Sequence, residues 1–158
     1  MRATDVHRRV FKAGSKTYFN SSIFFPPAVR DDVFILYGFV RVADNFVDSI
    51  PQQPDEFHAF VDAYRLALRG TPANDIIIDS FVDLASRKGF DPAWTDAFLH
   101  SMELDLTKKV HATVEETLEY VYGSAEVIGL YMSRIMGLST EADHAACMLG
   151  RAMQFINF

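Results

Sequence analysis

Asp44 and Asp48 stand four residues apart, a spacing that could do chemistry. On an α-helix such a pair sits one turn apart with both side chains on the same side. Arg41 and Tyr37 continue the line, so Tyr37, Arg41, Asp44 and Asp48 form a stripe spaced 4, 3 and 4. Carboxylates placed this way repel each other unless something cationic lies between them. Mg²⁺ takes oxygen ligands and commonly shares them with substrate phosphates. A diphosphate bridged by magnesium to both aspartates would relieve the repulsion, and Arg41 could meet phosphate oxygens directly. The competing reading is a solvated acidic patch containing an Arg41–Asp44 pair, and spacing alone does not separate the two.

The element that must carry this stripe is legible. Val29, Val33, Leu36, Val40, Ala43 and Val47 are spaced 4, 3, 4, 3 and 4, which makes an apolar face on one helix. The polar stripe is offset by one residue, about 100° of rotation, so it borders the buried face. The spacing predicts a helix from about Ala28 to Ser49, following Pro26 and Pro27. Start and stop signals divide the rest into further helices with short joints. A short amphipathic segment spans about Asp5–Lys12 and stops at Gly14, and Ile50–Pro54 reads as a polar loop. One helix runs from Pro54 to Gly70. Another starts at Thr71-Pro72 and stops at Gly89. Asp91-Pro92 opens a helix through about Lys109. Thr113 with Glu116 has capping-box spacing and opens a long helix ending at Gly137. Ser139 or Thr140 caps a last helix still running at Phe158. No strand alternation or internal repeat is evident, so the fold class is all-α, with joints short enough to favour antiparallel neighbours.

Composition limits the function classes. A net charge of −6 argues against nucleic acid as a partner, which calls for a basic face. It leaves an anionic substrate open, because a bound metal reverses the local sign. The single cysteine, Cys147, fits a reducing compartment. No apolar run approaches the roughly 18 residues of a membrane span, and the N-terminus lacks a signal-peptide apolar region. A cytoplasmic location is expected. None of the five histidines has metal-ligand spacing to a partner, and no glycine-rich nucleotide loop is present.

Several segments together carry a resemblance. Ser15-Lys16-Thr17-Tyr18 precedes the helix Leu36-Tyr37-Gly38-Phe39-Val40-Arg41-Val42-Ala43-Asp44-Asn45-Phe46-Val47-Asp48. Met102-Glu103-Leu104-Asp105-Leu106 follows, then Tyr120-Val121-Tyr122-Gly123-Ser124-Ala125-Glu126-Val127-Ile128-Gly129. The end reads Leu149-Gly150-Arg151-Ala152-Met153-Gln154-Phe155-Ile156-Asn157. In this order and at these intervals the chain resembles the squalene/phytoene synthase family over nearly its whole length. The Gly-Ser-Ala-Glu-Val-Ile-Gly run is nearer the phytoene branch. The resemblance implies a helical bundle of the isoprenoid synthase type, of which residues 1–158 would be the N-terminal portion of one domain. It also implies head-to-head coupling of two allylic prenyl diphosphates, farnesyl or geranylgeranyl, with Mg²⁺. NADPH would be needed only for a squalene-type product.

Residue by residue, the resemblance puts the first aspartate motif on Asp44 and Asp48, with Asn45 where the family usually has another aspartate. Ser15, Tyr37 and Arg41 fall on positions associated with diphosphate binding. Tyr18, Tyr120, Ser124, Ala125 and Gly129 fall where the family lines its prenyl pocket. Gln154 and Asn157 fall at the start of the second metal motif. The rest of that motif does not occur before Phe158, which points to a truncated bundle, inactive by itself, whose exposed apolar surface could dimerise.

Other residues keep two readings. Tyr120, Ser124, Val127 and Tyr131 make a stripe with hollows at Ser124, Ala125 and Gly129. This is either a groove for a prenyl chain or a seam for close helix packing. Glu126 reads as an exposed helix charge or as a group touching the site. Asp105 reads as a surface or capping carboxylate. The rivals to coupling are a non-catalytic relative that binds a prenyl lipid or a protein, and a head-to-tail synthase or terpene cyclase. The Ser15–Tyr18 and Gly123–Gly129 runs do not suit the last. A prenyl substrate makes peripheral membrane contact plausible, although no basic amphipathic face stands out to support it.

Overall fold

A computed structural model describes residues 3–108 and 110–157, all of whose regular elements are helical. Lys109 and Phe158, where two of the expected helices were to end, lie outside the described residues. The chain divides into two compact units, Met1–Lys88 and Gly89–Phe158.

In the first unit, α1 (Ala3–Gly14) turns His7 and Phe11 inward and Arg8, Arg9 and Lys12 outward. The joint after it contains a short helix that the sequence reading leaves out, α2 (Lys16–Ser21), and a 3₁₀ turn, Ser22–Phe24. The signal is local: Ser15 Oγ accepts from the Tyr18 backbone N–H at 3.2 Å as N-cap. The long helix α3 (Pro27–Asp48) begins with proline at its first position and buries Val33, Leu36, Ala43 and Val47 as the apolar stripe requires. Gly38 and Phe39 widen that buried arc. Phe39 stacks on Phe81 at 3.9 Å, and Phe60 and Tyr64 close round it. A fully buried side chain of this size contributes roughly 1.5–3 kcal/mol, so this aromatic cluster fixes the helix that carries the aspartates.

α4 (Pro54–Leu68) follows the expected loop, and Gly70, at φ 95°, turns the chain after it. The next helix, α5, spans Ile76–Lys88 and so starts later than the Thr71-Pro72 signal predicts. The reason is a stronger cap downstream. Asn74 takes a positive φ of 56°, and the Asp75 carboxylate accepts from the N–H groups of Ile77 and Ile78 at 2.8 and 3.2 Å. Asp32 of α3 lies buried and receives Arg87 and Lys88 of α5, each at 3.0 Å. Nothing in the periodicity singles out Asp32, because its partners lie far away in sequence.

In the second unit, α6 (Pro92–Thr107) starts where expected, with Asp91 accepting from the Ala93 N–H at 2.9 Å. Thr113 caps α7 (Val114–Val121), accepting from the Glu116 N–H, while the Glu116 carboxylate accepts from the Ala112 N–H at 2.8 Å. The long helix expected here is interrupted. Tyr122–Glu126 form a π-helical turn, and α8 (Val127–Ile135) continues beyond it. Gly137, at φ 74°, ends that run. Ser139 precedes a 3₁₀ turn without a side-chain capping bond, and the last helix, α9 (Asp143–Asn157), begins at Asp143. Arg134 clamps Asp143 through two 2.7 Å bonds. Beneath them Thr95 and Tyr131 share a buried 2.7 Å hydrogen bond.

Candidate active site

Within the first unit, α3 presents Tyr37, Arg41, Asp44 and Asp48 at the border of its buried face. Tyr37 is half-buried and stacks on Phe11 of α1 at 3.9 Å. Burial pushes its phenol above the ordinary tyrosine range, the charges of Asp44 and Tyr18 act in the same direction, and Arg41 opposes them. Its hydroxyl lies where a Cβ on Gly14 would collide with it. Gly14 is therefore more than a helix stop, a role the sequence signals only through its small size.

Arg41 Nη1 donates to Asp44 Oδ2 at 2.7 Å, with the two side chains 35% and 30% exposed. That pair belongs to both readings of the stripe. Asp48, one turn on, is exposed, as is Asn45. Ser15 is half-buried with its hydroxyl engaged as the α2 cap, and Tyr18 is exposed beside it. Two carboxylates one turn apart offer hard oxygen donors of the type Mg²⁺ takes, but only part of an octahedral set. Among the described residues no three His, Cys, Asp or Glu side chains are grouped to hold a metal ion. The donors present thus fit a magnesium ion that keeps water and phosphate oxygens as its other ligands.

Within the second unit, Tyr120 donates its phenol to Asp105 at 2.9 Å and packs its ring against His111. Asp105 is thus a half-buried acceptor rather than a surface or capping carboxylate. Ser124 and Ala125 lie in the π-turn, and Ser124 Oγ is buried with no hydrogen-bond partner among the described residues. The small residues serve close packing. A Cβ on Gly129 would collide with the Ala146 carbonyl of α9, and one on Gly150 would lie 2.5 Å from the Ala125 carbonyl. Gly123 meets α6 in the same way, at Ala97 and Ser101. Gln154 is half-buried and Asn157 exposed, one turn apart on α9.

Glu126 is not the exposed charge expected. It is buried, with 3% of its surface accessible, and accepts from Arg151 Nε at 2.7 Å. The π-turn explains the difference: an extra residue in the turn rotates the helix face, so α-helical periodicity places Glu126 wrongly. Arg151 had no assigned role in the sequence reading, and its partner lies 25 residues away.

The profile of the squalene/phytoene synthase family matches residues 11–158. The chain is 31% identical to a phytoene synthase of Thermus thermophilus, over 94% of its own length and 51% of that protein. It is 30% identical to a phytoene synthase of Pseudescherichia vulneris, over 91% of this chain and 50% of that one. A hydroxysqualene synthase of Sinorhizobium fredii is 27% identical over 83% of this chain and 45% of the relative. The chain thus spans about half the length of the curated relatives it matches. Among solved structures, squalene synthase HpnC from Alicyclobacillus acidocaldarius superposes with a TM-score of 0.85 at 19% identity, covering 98% of this chain and 59% of that one. This agrees with the all-α expectation.

Proposed function

The chain belongs to the squalene/phytoene synthase family, and from that premise we propose that it is the N-terminal portion of one prenyl synthase domain that couples two allylic prenyl diphosphates head to head. The observation that carries the proposal is the Asp44–Asp48 pair on the exposed border of α3, with Arg41 one turn away and bonded to Asp44. Magnesium, when bound, would neutralise the diphosphate as its C–O bond breaks. Asp44 and Asp48 are the residues proposed to hold it. Arg41 is the direct phosphate partner, Tyr37 and Ser15 add hydrogen bonds, and Gln154 and Asn157 belong to the second metal motif.

Tyr18, Tyr120, Ser124, Ala125 and Gly129 are proposed along the prenyl chain, with Gly129 contributing by letting α8 and α9 approach rather than by leaving space. An apolar, water-poor surround protects an allylic cation, and aromatic faces stabilise its charge. The second substrate's double bond attacks that cation, giving a cyclopropyl diphosphate that ionises and rearranges. The similarity to phytoene synthases favours a phytoene-type product, which needs no reductant; a squalene-type product would call for NADPH. Such substrates partition into lipid, so the proposal includes peripheral membrane contact, with self-association as the other use of exposed apolar surface. No helix among the described residues is long and apolar enough to cross a membrane.

Calorimetry with a non-hydrolysable farnesyl or geranylgeranyl diphosphate analogue tests the reading. Binding that requires Mg²⁺ and is lost in Asp44→Asn/Asp48→Asn supports it. Binding that ignores both the metal and the substitutions would place the ligand elsewhere and overturn the assignment.

A further inference from the structure

The charges of this acidic chain are unevenly distributed. Residues 1–30 hold six basic side chains (Arg2, Arg8, Arg9, Lys12, Lys16 and Arg30) and one acidic, Asp5, for a net +5. Residues 31–158 hold nine basic and twenty acidic, for a net −11. The structure gathers the basic share on one part of the first unit. Arg8, Arg9 and Lys12 lie on the outward face of α1 and Lys16 is exposed at the start of α2. The sequence shows no basic amphipathic face by inspection because the apolar side of α1 is short and already used. His7 and Phe11 are buried there.

The same segment carries the most exposed aromatic ring of the unit. Phe24, at the end of the 3₁₀ turn, is 87% exposed, and its neighbour Ile23 58%. Ile23 shares a shallow cleft with Arg8, Arg30, Phe19, Phe34, Asp5 and Asp31. The guanidinium of Arg8 lies over the Phe19 ring at 5.9 Å. The two acids of the cleft balance its two arginines, which leaves Arg9, Lys12 and Lys16 as the uncompensated positive rim. Two adjacent apolar side chains held out by a rigid turn, ringed by cations on an otherwise acidic protein, have the chemistry of an interfacial anchor. The apolar pair enters the acyl boundary while the cations meet lipid phosphates. An acidic protein surface would suit the rim but offers nothing to receive Phe24.

We infer that the α1–α2–3₁₀ segment docks this chain onto an anionic lipid surface, with Ile23 and Phe24 inserted and Arg8, Arg9, Lys12 and Lys16 at the headgroups. The inference deepens the membrane contact in the proposed function, yet its test does not depend on prenyl binding. Loss of vesicle binding leaves Mg²⁺-dependent analogue binding unaffected, and the reverse also holds.

The test is flotation with vesicles of phosphatidylcholine, with and without phosphatidylglycerol. Native protein should float with the anionic vesicles and be released as salt screens the cations. Ile23→Ser/Phe24→Ser should lower partitioning by at least about tenfold, with unchanged circular dichroism and melting temperature because both side chains are exposed. Arg8→Gln, Arg9→Gln and Lys12→Gln should each lower it roughly fivefold at low salt. Phe24→Trp should shift its emission to the blue on binding and be quenched by brominated acyl chains. Binding by the double serine variant equal to native would overturn the insertion, as would absence of binding to either vesicle. Concentration-dependent self-association abolished by the serine variant, without vesicle binding, would instead assign the face to a second copy of the chain.

Discussion

The carboxylate of Glu126, enclosed in the π-turn, accepts a 2.7 Å hydrogen bond from Nε of Arg151, which stays partly exposed on α9. The asymmetry in burial predicts an asymmetry in cost. Arg151→Ala leaves a buried carboxylate without its partner and should destabilise the chain by about 3–5 kcal/mol. Glu126→Gln keeps the shape, removes the buried charge and returns Arg151 to water, so its cost should be about 1–2 kcal/mol. Urea unfolding of the two single variants and of the double variant measures the difference. Equal costs would mean that Arg151 is not what holds the buried charge.

A second prediction concerns pH. His7 is fully buried between α1 and α3, its ring against Gly38. Burial holds its imidazole below the ordinary histidine range, while the Asp75 charge and the Ile76 backbone only partly offset this. Between the depressed folded value and 6.5 the unfolded chain binds more protons than the folded one, so stability rises with pH across that window. The contribution is complete above about 6.5 and is lost as pH falls towards the folded value. Urea midpoints at a series of pH values should therefore drop on acidification. His7→Leu should flatten the part of the curve just below neutrality.

These two sites also mark what the sequence conceals. The aspartate helix was legible because an apolar stripe with a polar border is a local pattern, and the Asp91 and Thr113 caps were legible because capping acts over three residues. Glu126 was misplaced because one π-turn breaks the 3.6-residue period. Asp32 and Arg151 were invisible because their meaning lies in partners across the fold. At Thr71-Pro72 a plausible start signal lost to a better one, the Asp75 carboxylate with its two backbone donors. For the same reason the hollows at Gly123 and Gly129 could be counted in the sequence but not assigned. A small residue marks a close approach without saying of what.

The Arg41–Asp44 pair makes a third prediction, with effects of opposite sign. A 2.7 Å ion pair on a partly exposed helix face is worth at most about 1 kcal/mol. It nevertheless competes with any cation for the Asp44 carboxylate. Arg41→Ala should therefore tighten binding of Mn²⁺ alone, used as a magnesium probe, by up to about fivefold. The same substitution should weaken the metal–diphosphate analogue complex by about tenfold or more, because a charge-assisted contact to phosphate is lost. Titrating Mn²⁺ by its electron-spin signal, with and without the analogue, separates the effects. A fall in both affinities would make Arg41 a merely structural partner of Asp44.

The closest approach of two helices in the second unit gives the last prediction. Gly129 on α8 faces the Ala146 carbonyl of α9, and Gly150 on α9 faces the Ala125 carbonyl, so each helix sets a glycine against the other's backbone. Backbone cannot rotate away as a side chain can, so a methyl group at either position forces the helices apart. Overpacking of this kind costs about 1–3 kcal/mol. Gly129→Ala and Gly150→Ala should each lower the melting temperature. The pair together should cost less than the sum, because the first separation already makes room for the second methyl. A calorimetric scan of the three variants decides the matter. If either substitution were neutral, the hollow at that glycine would be open space, and the groove reading of the Ser124–Gly129 stripe would gain the ground that packing now holds.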